Sequence, residues 1–116
     1  MSPMADRALL GEVEQLVLLA VLRLGDEAYA VPIRALIKDD AGVSLSRGTI
    51  YVTLERLERK GYLRSRAAAG GAEREGRAKR FFTVDAEGLR ALRRALDLVD
   101  RMRADLPALR PARAGR

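Results

Sequence analysis

The sequence predicts a mainly α-helical protein that carries one small β-hairpin and ends in a long helix. Three observations predict this fold class. Apolar residues recur at helical spacing in four separate stretches. A glycine follows closely after each of the first three stretches, as is common at helix ends. Between the third and fourth stretches, two short segments of strand character flank a run rich in glycine, alanine and charge.

The composition limits the classes of protein to be considered. A chain of 116 residues predicts one domain, and a hydrophobic content of 48% argues against a disordered chain. The absence of cysteine and histidine excludes disulfides, thiol nucleophiles, the usual zinc sites and histidine bases. Because the spacing of the remaining reactive side chains groups none of them, we expect neither an enzyme nor a bound cofactor or metal.

No targeting or membrane segment is predicted. The first residues, MSPMADRALL, lack a positively charged start followed by an apolar run. The longest apolar stretch, residues 16–22, is far too short to cross a bilayer. We therefore expect a cytoplasmic protein without a membrane partner.

The positive charge is concentrated in the middle of the chain. The net charge is +6, of which residues 1–46 contribute −3, residues 47–80 contribute +6 and residues 81–116 contribute +3. A local excess of this kind indicates a polyanionic partner. The alternative is a surface that only keeps the protein in solution.

The first helix is predicted over residues 10–24. Its main apolar stripe consists of Val13, Leu16, Val17, Ala20, Val21 and Leu24. Leu18, Leu19 and Leu22 fall largely outside that stripe. A helix that is apolar on most of its surface must be covered on more than one side, so we expect a partner chain to cover part of it.

Two shorter helices follow. Pro32 fits the first turn of the second helix, which extends to about residue 40 with Ile33, Leu36 and Ile37 facing inward. Ser46 is the better N-cap for a third helix over residues 46–60, and Ser44 is the weaker candidate. The buried stripe of the third helix is predicted to be Ile50, Leu54 and Leu57, and Gly61 ends it.

The hairpin and the last helix complete the chain. Residues 62–66 and 79–84 are predicted strands joined by a basic loop, with Phe81 and Phe82 on opposite faces. Asp85 is the expected cap of a fourth helix that ends before Pro107. Its apolar row, typical of a coiled-coil seam, is Leu89, Leu92, Leu96, Val99 and Leu106.

The predicted order is helix, helix, helix, strand, strand, helix. Three helices followed by a basic hairpin form a winged helix-turn-helix. We therefore predict a DNA-binding domain over residues 10–84 and a dimerisation helix over residues 85–106. Residues 107–116 show no periodicity and are predicted to be disordered.

Four motifs resemble the PadR family of bacterial transcriptional regulators. They are LG at 10–11, GDEAYAV at 25–31, RGTIYVTLERLERKGYL at 47–63 and KRFFTVDAEGLRAL at 79–92. The resemblance covers roughly residues 10–95, and the single last helix is typical of the short members. The sequence differs from the family pattern at Ala30, where glycine is frequent, and at Arg47, where proline is common.

The resemblance implies a repressor that binds double-stranded DNA and is relieved by a small molecule, such as a small hydrophobic effector, or by another signal. A homodimer with two-fold symmetry would place two recognition helices about one DNA turn apart, so we expect an inverted-repeat operator. Some short members hold flat aromatic drugs between tryptophans, which this chain lacks. The alternative from another class is a protein-interaction module that uses the same fold without specific DNA affinity.

Side chains near the start of the third helix are the main candidates for DNA contact. Arg47 can bind guanine, threonine methyl groups can contact thymine, and the Tyr51 hydroxyl can bind a phosphate. The alternatives are that Thr49 only completes the cap and that Tyr51 packs on the second helix. The predicted DNA-binding residues of this helix are Ser46, Arg47, Gly48, Thr49, Tyr51 and Thr53.

Basic residues of the hairpin are the second set of candidates. Arg74, Arg77, Lys79 and Arg80 are predicted to reach a phosphate or the minor groove beside the recognition site. The alternative is a charged loop without a preferred contact. Tyr29 is open to two interpretations, a phosphate ligand or a core aromatic.

Apolar residues of the first and fourth helices are candidates for the dimer interface and for an effector pocket between them. They are Leu10, Val13, Leu89, Leu92, Leu96 and Val99. The alternative is that these residues pack within their own chain. The amount of apolar surface left over favours dimerisation.

Overall fold

A computed structural model describes residues 9–68 and 79–111 of the chain. The helices are α1 (Glu12–Leu24), α2 (Ala30–Leu36), α3 (Arg47–Arg59) and α4 (Ala86–Arg103), and the strands are β1 (Leu63–Ala67) and β2 (Arg80–Val84). A π-helical turn, Ile37–Ala41, extends α2, and Gly25–Glu27 and Pro107–Leu109 form 3-10 turns. The predicted fold class, mainly α with a small β-hairpin, is confirmed.

Helix α1 lies in the middle of the fold, where it contacts α2 and α3 as well as β2 and α4. Val17 and Leu18 are fully buried, and Leu19 is partly buried against the core. Leu18 therefore needs no partner chain to cover it, because the chain's own elements surround that side of the helix. Leu22 alone of these outlying leucines is exposed.

The turn between α2 and α3 is fixed by local interactions. Gly42 has a φ of 71°, a left-handed conformation that glycine adopts without steric cost. The Arg34 Nε donates a hydrogen bond of 2.6 Å to the carbonyl oxygen of Leu45. Ser46 caps α3, since its Oγ accepts a hydrogen bond of 3.0 Å from the backbone N–H of Thr49. The predicted cap is thus confirmed.

The two strands pair antiparallel, with Leu63 opposite Val84 and Ser65 opposite Phe82. The backbone N–H of Phe82 also donates a hydrogen bond of 2.8 Å to the carbonyl oxygen of Ala28. This bond ties the hairpin to the segment between α1 and α2. Phe82 is buried and Phe81 is only partly buried, as their opposite faces predict.

Helix α4 begins against the start of the hairpin. The backbone N–H of Asp85 donates to the carbonyl oxygen of Tyr62 at 2.9 Å. Asp85 is the N-cap residue, but its carboxylate makes no cap bond and instead pairs with Arg64 at 2.8 Å. A Cβ added to Gly88 would lie 2.3 Å from the carbonyl oxygen of Tyr62, so only glycine allows this close approach.

Helix α4 ends at Arg103, earlier than residue 106, the predicted end. Pro107 explains the difference, because its ring would clash with the carbonyl of residue 103 and it has no N–H to donate there. Asp105 takes a φ of 58°, and Pro107–Leu109 form a 3-10 turn where the sequence shows no periodicity. Among the described residues, none of the helices combines the length and hydropathy needed to span a bilayer.

Candidate nucleic-acid interface

Helix α3 has one buried face and one exposed face. Ile50, Leu54 and Leu57 are buried in the core, as the sequence predicts. The exposed residues are Arg47, Gly48, Thr49, Tyr51, Val52, Glu55, Arg56 and Arg59. The buried stripe fixes the helix on the domain, and the opposite face projects a mainly basic surface outward.

The first turn of α3 holds most of the predicted DNA-binding residues at the surface. The Ser46 Oγ donates to the Thr49 Oγ1 at 3.0 Å in addition to accepting from the Thr49 backbone N–H. Thr49 therefore takes part in the cap and is exposed at the same time. Tyr51 is half exposed, which argues against the alternative that it packs on α2.

Thr53 was wrongly included among the predicted DNA-binding residues. It is buried, and its Oγ1 donates a hydrogen bond of 2.7 Å to the carbonyl oxygen of Thr49. The physical reason is its position three residues after Ile50 and four before Leu57, which places it on the buried stripe. Thr53 lies on the buried face of the helix and cannot reach a ligand on the outward face.

The second half of α3 adds two basic residues that are not among the predicted DNA-binding residues. Arg56 and Arg59 are exposed, whereas Leu54 and Leu57, in the same half of the helix, are buried. The signal that identifies them is the same 3.6-residue period that defines the buried stripe. The basic face of α3 therefore extends from Arg47 to the last turn.

Two adjacent aromatic rings, each with a basic side chain over it, lie near the loop end of the hairpin. The rings of Tyr29 and Phe81 are 5.3 Å apart between centroids. The Lys79 Nζ lies 4.5 Å from the centre of the Tyr29 ring, and the Arg66 guanidinium lies 5.0 Å from that of Phe81. Tyr29 is thus neither a core residue nor isolated, because it packs on the hairpin and holds a lysine over its face.

Arg80 is held on the other face of the hairpin. Its guanidinium donates to the Ser65 Oγ at 2.9 Å through Nη2 and at 3.2 Å through Nε. The Ser65 Oγ in turn donates to a carboxylate oxygen of Glu58 at 2.7 Å. This chain of bonds joins β2 to the end of α3. Arg74 and Arg77, also predicted to bind DNA, lie outside the described residues.

A buried ion pair joins the start of α1 to the end of α3. Glu14 is 7% exposed, and its carboxylate accepts hydrogen bonds of 2.9 Å from Gly11 N and 2.8 Å from Lys60 Nζ. Burial raises the pKa of this carboxyl, but the two hydrogen bonds and the positive charges of Lys60 and Arg56 together outweigh it. The pKa of Glu14 therefore lies below its ordinary value.

An apolar surface lies along the second half of α4. Leu92 and Ala95 are buried in the core of the chain, whereas Leu96, Val99 and Met102 are exposed. The predicted apolar row is therefore divided. Its first half packs within the chain, as the alternative interpretation holds, and its second half is uncovered within the described residues.

A groove of about 480 Å³ lies between the start of α1 and the end of α4. Of the six residues predicted for a dimer or effector pocket, Leu10 and Val99 line it. Val13, Leu89, Leu92 and Leu96 do not. The lining residues absent from the prediction are Leu9, Gln15, Ala95, Leu98, Met102, Arg103, Leu106 and Leu109.

Solved structures with the same fold are transcriptional regulators. A regulator from Clostridium thermocellum superposes with a TM-score of 0.67 at 19% identity, covering 89% of this chain and 91% of the other. A PadR-family regulator from Eggerthella lenta superposes with a TM-score of 0.62 at 27% identity, covering 78% and 79%.

A third similar structure contains nucleic acid. It is Bacillus subtilis PadR in complex with operator DNA, with a TM-score of 0.60 at 25% identity, and the match covers 73% of this chain and 47% of the other. Comparison with curated proteins gave no match.

The sequence comparison with protein families agrees with these structures. Residues 18–94 match the family described as the transcriptional regulator PadR-like family. The match extends from the middle of α1 through the hairpin into α4, and so includes the buried stripe and the basic face of α3. The chain belongs to the PadR-like family of transcriptional regulators.

Proposed function

We propose that the protein is a homodimeric, sequence-specific repressor that occludes a promoter by binding an inverted repeat in double-stranded DNA. The outward face of α3 enters the major groove, and the hairpin contacts the DNA backbone or the minor groove beside it. The observation that carries this proposal is the two-sided character of α3. Ile50, Leu54 and Leu57 pack in the core, so its exposed, mainly basic face is left for a polyanion.

The predicted contacts fall into two classes. Arg47, exposed at the first position of α3, reads a base edge, and Thr49 and Tyr51 contact a base or a phosphate. Gly48 allows the backbone to approach a phosphate closely. On the hairpin, Lys79 and Arg80 contribute positive charge, and Arg74 and Arg77 are proposed to do the same.

The exposed apolar residues of α4 support the dimer. A second copy that packs on Leu96, Val99 and Met102 would cover the apolar surface that the first copy leaves to solvent. A two-fold axis through that contact relates two copies of α3, so that they bind half-sites about one DNA turn apart. The operator is therefore an inverted repeat.

Relief by a small hydrophobic effector completes the proposal. The groove between α1 and α4 is lined mainly by apolar side chains and has the volume of a small-molecule site. A molecule bound there would change the packing of α4 and with it the distance between the two copies of α3.

Selection of bound fragments from the source genome tests the proposal, because it yields the operator and its half-site spacing together. We expect an inverted repeat. The variant that combines Arg47→Ala with Thr49→Ala should bind the selected operator about tenfold or more weakly. It should remain folded, since the Ser46 cap bonds the backbone of residue 49 and not only its side chain. Arg90→Ala, which removes an exposed charge from α4, is the matched control.

Filter binding at two salt concentrations separates the repressor from a protein-interaction module. A repressor keeps its preference for the operator over unrelated DNA when salt is raised, although both affinities fall. An interaction module shows weak, salt-sensitive binding without preference, or none. That second result would contradict the proposed function, and unchanged binding by the folded double variant would contradict the assignment of Arg47 and Thr49 to the DNA contact.

A further inference from the structure

Val52 is an apolar side chain on the outward face of the recognition helix. It lies two residues from both Ile50 and Leu54, which places it about 200° around the helix from each of these buried residues. It is 51% exposed. The predicted DNA-binding residues do not include it.

Folding does not explain a valine at this position. An exposed side chain gains little from burial, and a β-branched residue is less favourable in a helix than alanine, lysine or glutamate. The neighbouring outward positions hold such polar residues, namely Glu55, Arg56 and Arg59. Val52 therefore adds little to the stability of α3 itself, and a contact outside the domain would account for it.

The surroundings of Val52 indicate the kind of contact. Gly48 lies one turn earlier on the same face. A Cβ at Gly48 would lie 3.8 Å from the Ser46 Oγ, an ordinary contact, and this residue has no left-handed φ. The fold does not require glycine there, so the surface beside Val52 is left open to an approaching molecule. Arg56, one turn later, and Arg47 make that surface suited to a polyanion.

From this juxtaposition we propose that Val52 is a specificity-determining residue that contacts the C5-methyl group of a thymine in the major groove. The proposal rests on the proposed function, since it takes α3 as the element in the groove. The thymine methyl is the apolar group that base pairs present in the major groove, and hydrogen-bonding side chains cannot read it. An exposed valine flanked by glycine and arginine fits that group.

Replacement of thymine by deoxyuridine tests the contact, because it removes the C5-methyl group and keeps base pairing. Each thymine of the selected operator is replaced in turn, symmetrically in both half-sites. The affinities of the wild-type protein, Val52→Ala and Val31→Ala are then measured. Val31 is an exposed valine on α2, so Val31→Ala removes the same atoms from another surface. Thermal unfolding checks that the variants remain folded.

We expect one thymine whose replacement weakens wild-type binding by about fourfold per half-site, the factor for burial of one methyl-sized group. Val52→Ala should bind the thymine and deoxyuridine forms of that operator equally well, and Val31→Ala should behave as wild type. If wild type and Val52→Ala respond alike at every thymine of a selected operator, the contact is overturned and the repressor function stands. If no fragment is preferred over unrelated DNA, the proposed function fails and this assignment fails with it.

Discussion

Helices α3 and α4 are both amphipathic, but they separate polar from apolar residues in different directions. In α3 the separation is around the axis, with Ile50, Leu54 and Leu57 buried on one side and a basic surface on the other. In α4 a second separation runs along the axis. Ala91, Leu92 and Ala95 are buried against the domain, whereas Leu96, Val99 and Met102, further along the helix, are exposed.

The difference lies in how far the chain covers the apolar side chains of each helix, which is almost fully in α3 and only in part in α4. Every aliphatic residue of α3 except Val52 is covered within the domain. The second half of α4 has apolar side chains with no comparable cover among the described residues. A basic exposed face calls for a polyanion, and an apolar exposed face calls for another apolar surface. The three substitutions below test this comparison.

The largest effect is expected at the docked end of α4. Gly88→Ala should lower the free energy of unfolding by about 3 kcal/mol, because its Cβ would meet the backbone of Tyr62 at 2.3 Å. Chemical denaturation at one fixed protein concentration measures the change. Gly48→Ala is the matched control in α3. It meets no close contact and should raise the stability by about 0.5 kcal/mol, since alanine favours a helix. Equal effects at the two glycines would show that the start of α4 is not tightly docked.

The sequence identifies the elements whose signals are local. The Ser46 cap and the buried stripe of α3 depend on neighbouring residues, and the structure confirms them. Leu18 was misjudged for a different reason, since its burial depends on elements distant in sequence that pack around α1. Thr53 was misjudged although its spacing from Ile50 and Leu57 places it on the buried stripe. The carboxylate of Asp85 likewise pairs with Arg64, across the hairpin, instead of capping α4.

In the candidate site, too, the features set by local spacing were predictable and the contacts between distant residues were not. Helical spacing identifies Arg47, Thr49 and Tyr51 as outward residues, and the structure places them at the surface. The pattern of a single strand cannot show that the Arg80 guanidinium is bonded to Ser65, or that Lys79 lies over Tyr29. Those contacts follow from the register of the hairpin and from how it packs on the rest of the domain.

The second effect is expected at the uncovered end of α4. Val99 is 56% exposed, and Val99→Asp should weaken the monomer–dimer equilibrium by at least about tenfold, because it buries a charge in the proposed interface. Sedimentation equilibrium measures the dissociation constant. Val31→Asp places the same charge on an exposed valine of α2 and should leave the equilibrium unchanged. If neither variant dissociates, or if wild type is monomeric, the exposed apolar face of α4 is not a dimer interface.

The smallest effect of the three is expected at the ion pair that connects α1, beside the groove, with the end of α3. Glu14 lies on α1 beside Gln15, which lines the apolar groove, and its carboxylate holds Lys60 at the end of α3. Glu14→Gln should lower the free energy of unfolding at pH 7 by about 1 kcal/mol. The loss is small because Lys60 is about a third exposed and solvent screens the pair.

The pH dependence identifies the charge as the cause of that loss. Since the pKa of Glu14 in the folded protein is lower than its ordinary value of 4.5, the ionised carboxylate stabilises the fold above that pH. The stabilisation disappears as the pH falls through the folded pKa, so the difference between wild type and Glu14→Gln should vanish in acid. Denaturation curves between pH 7 and pH 3 measure it. A difference in the free energy of unfolding that stays constant over this range would mean that Glu14 stabilises the fold through packing and not through its charge. The groove and the recognition helix would then be connected by packing and not by charge.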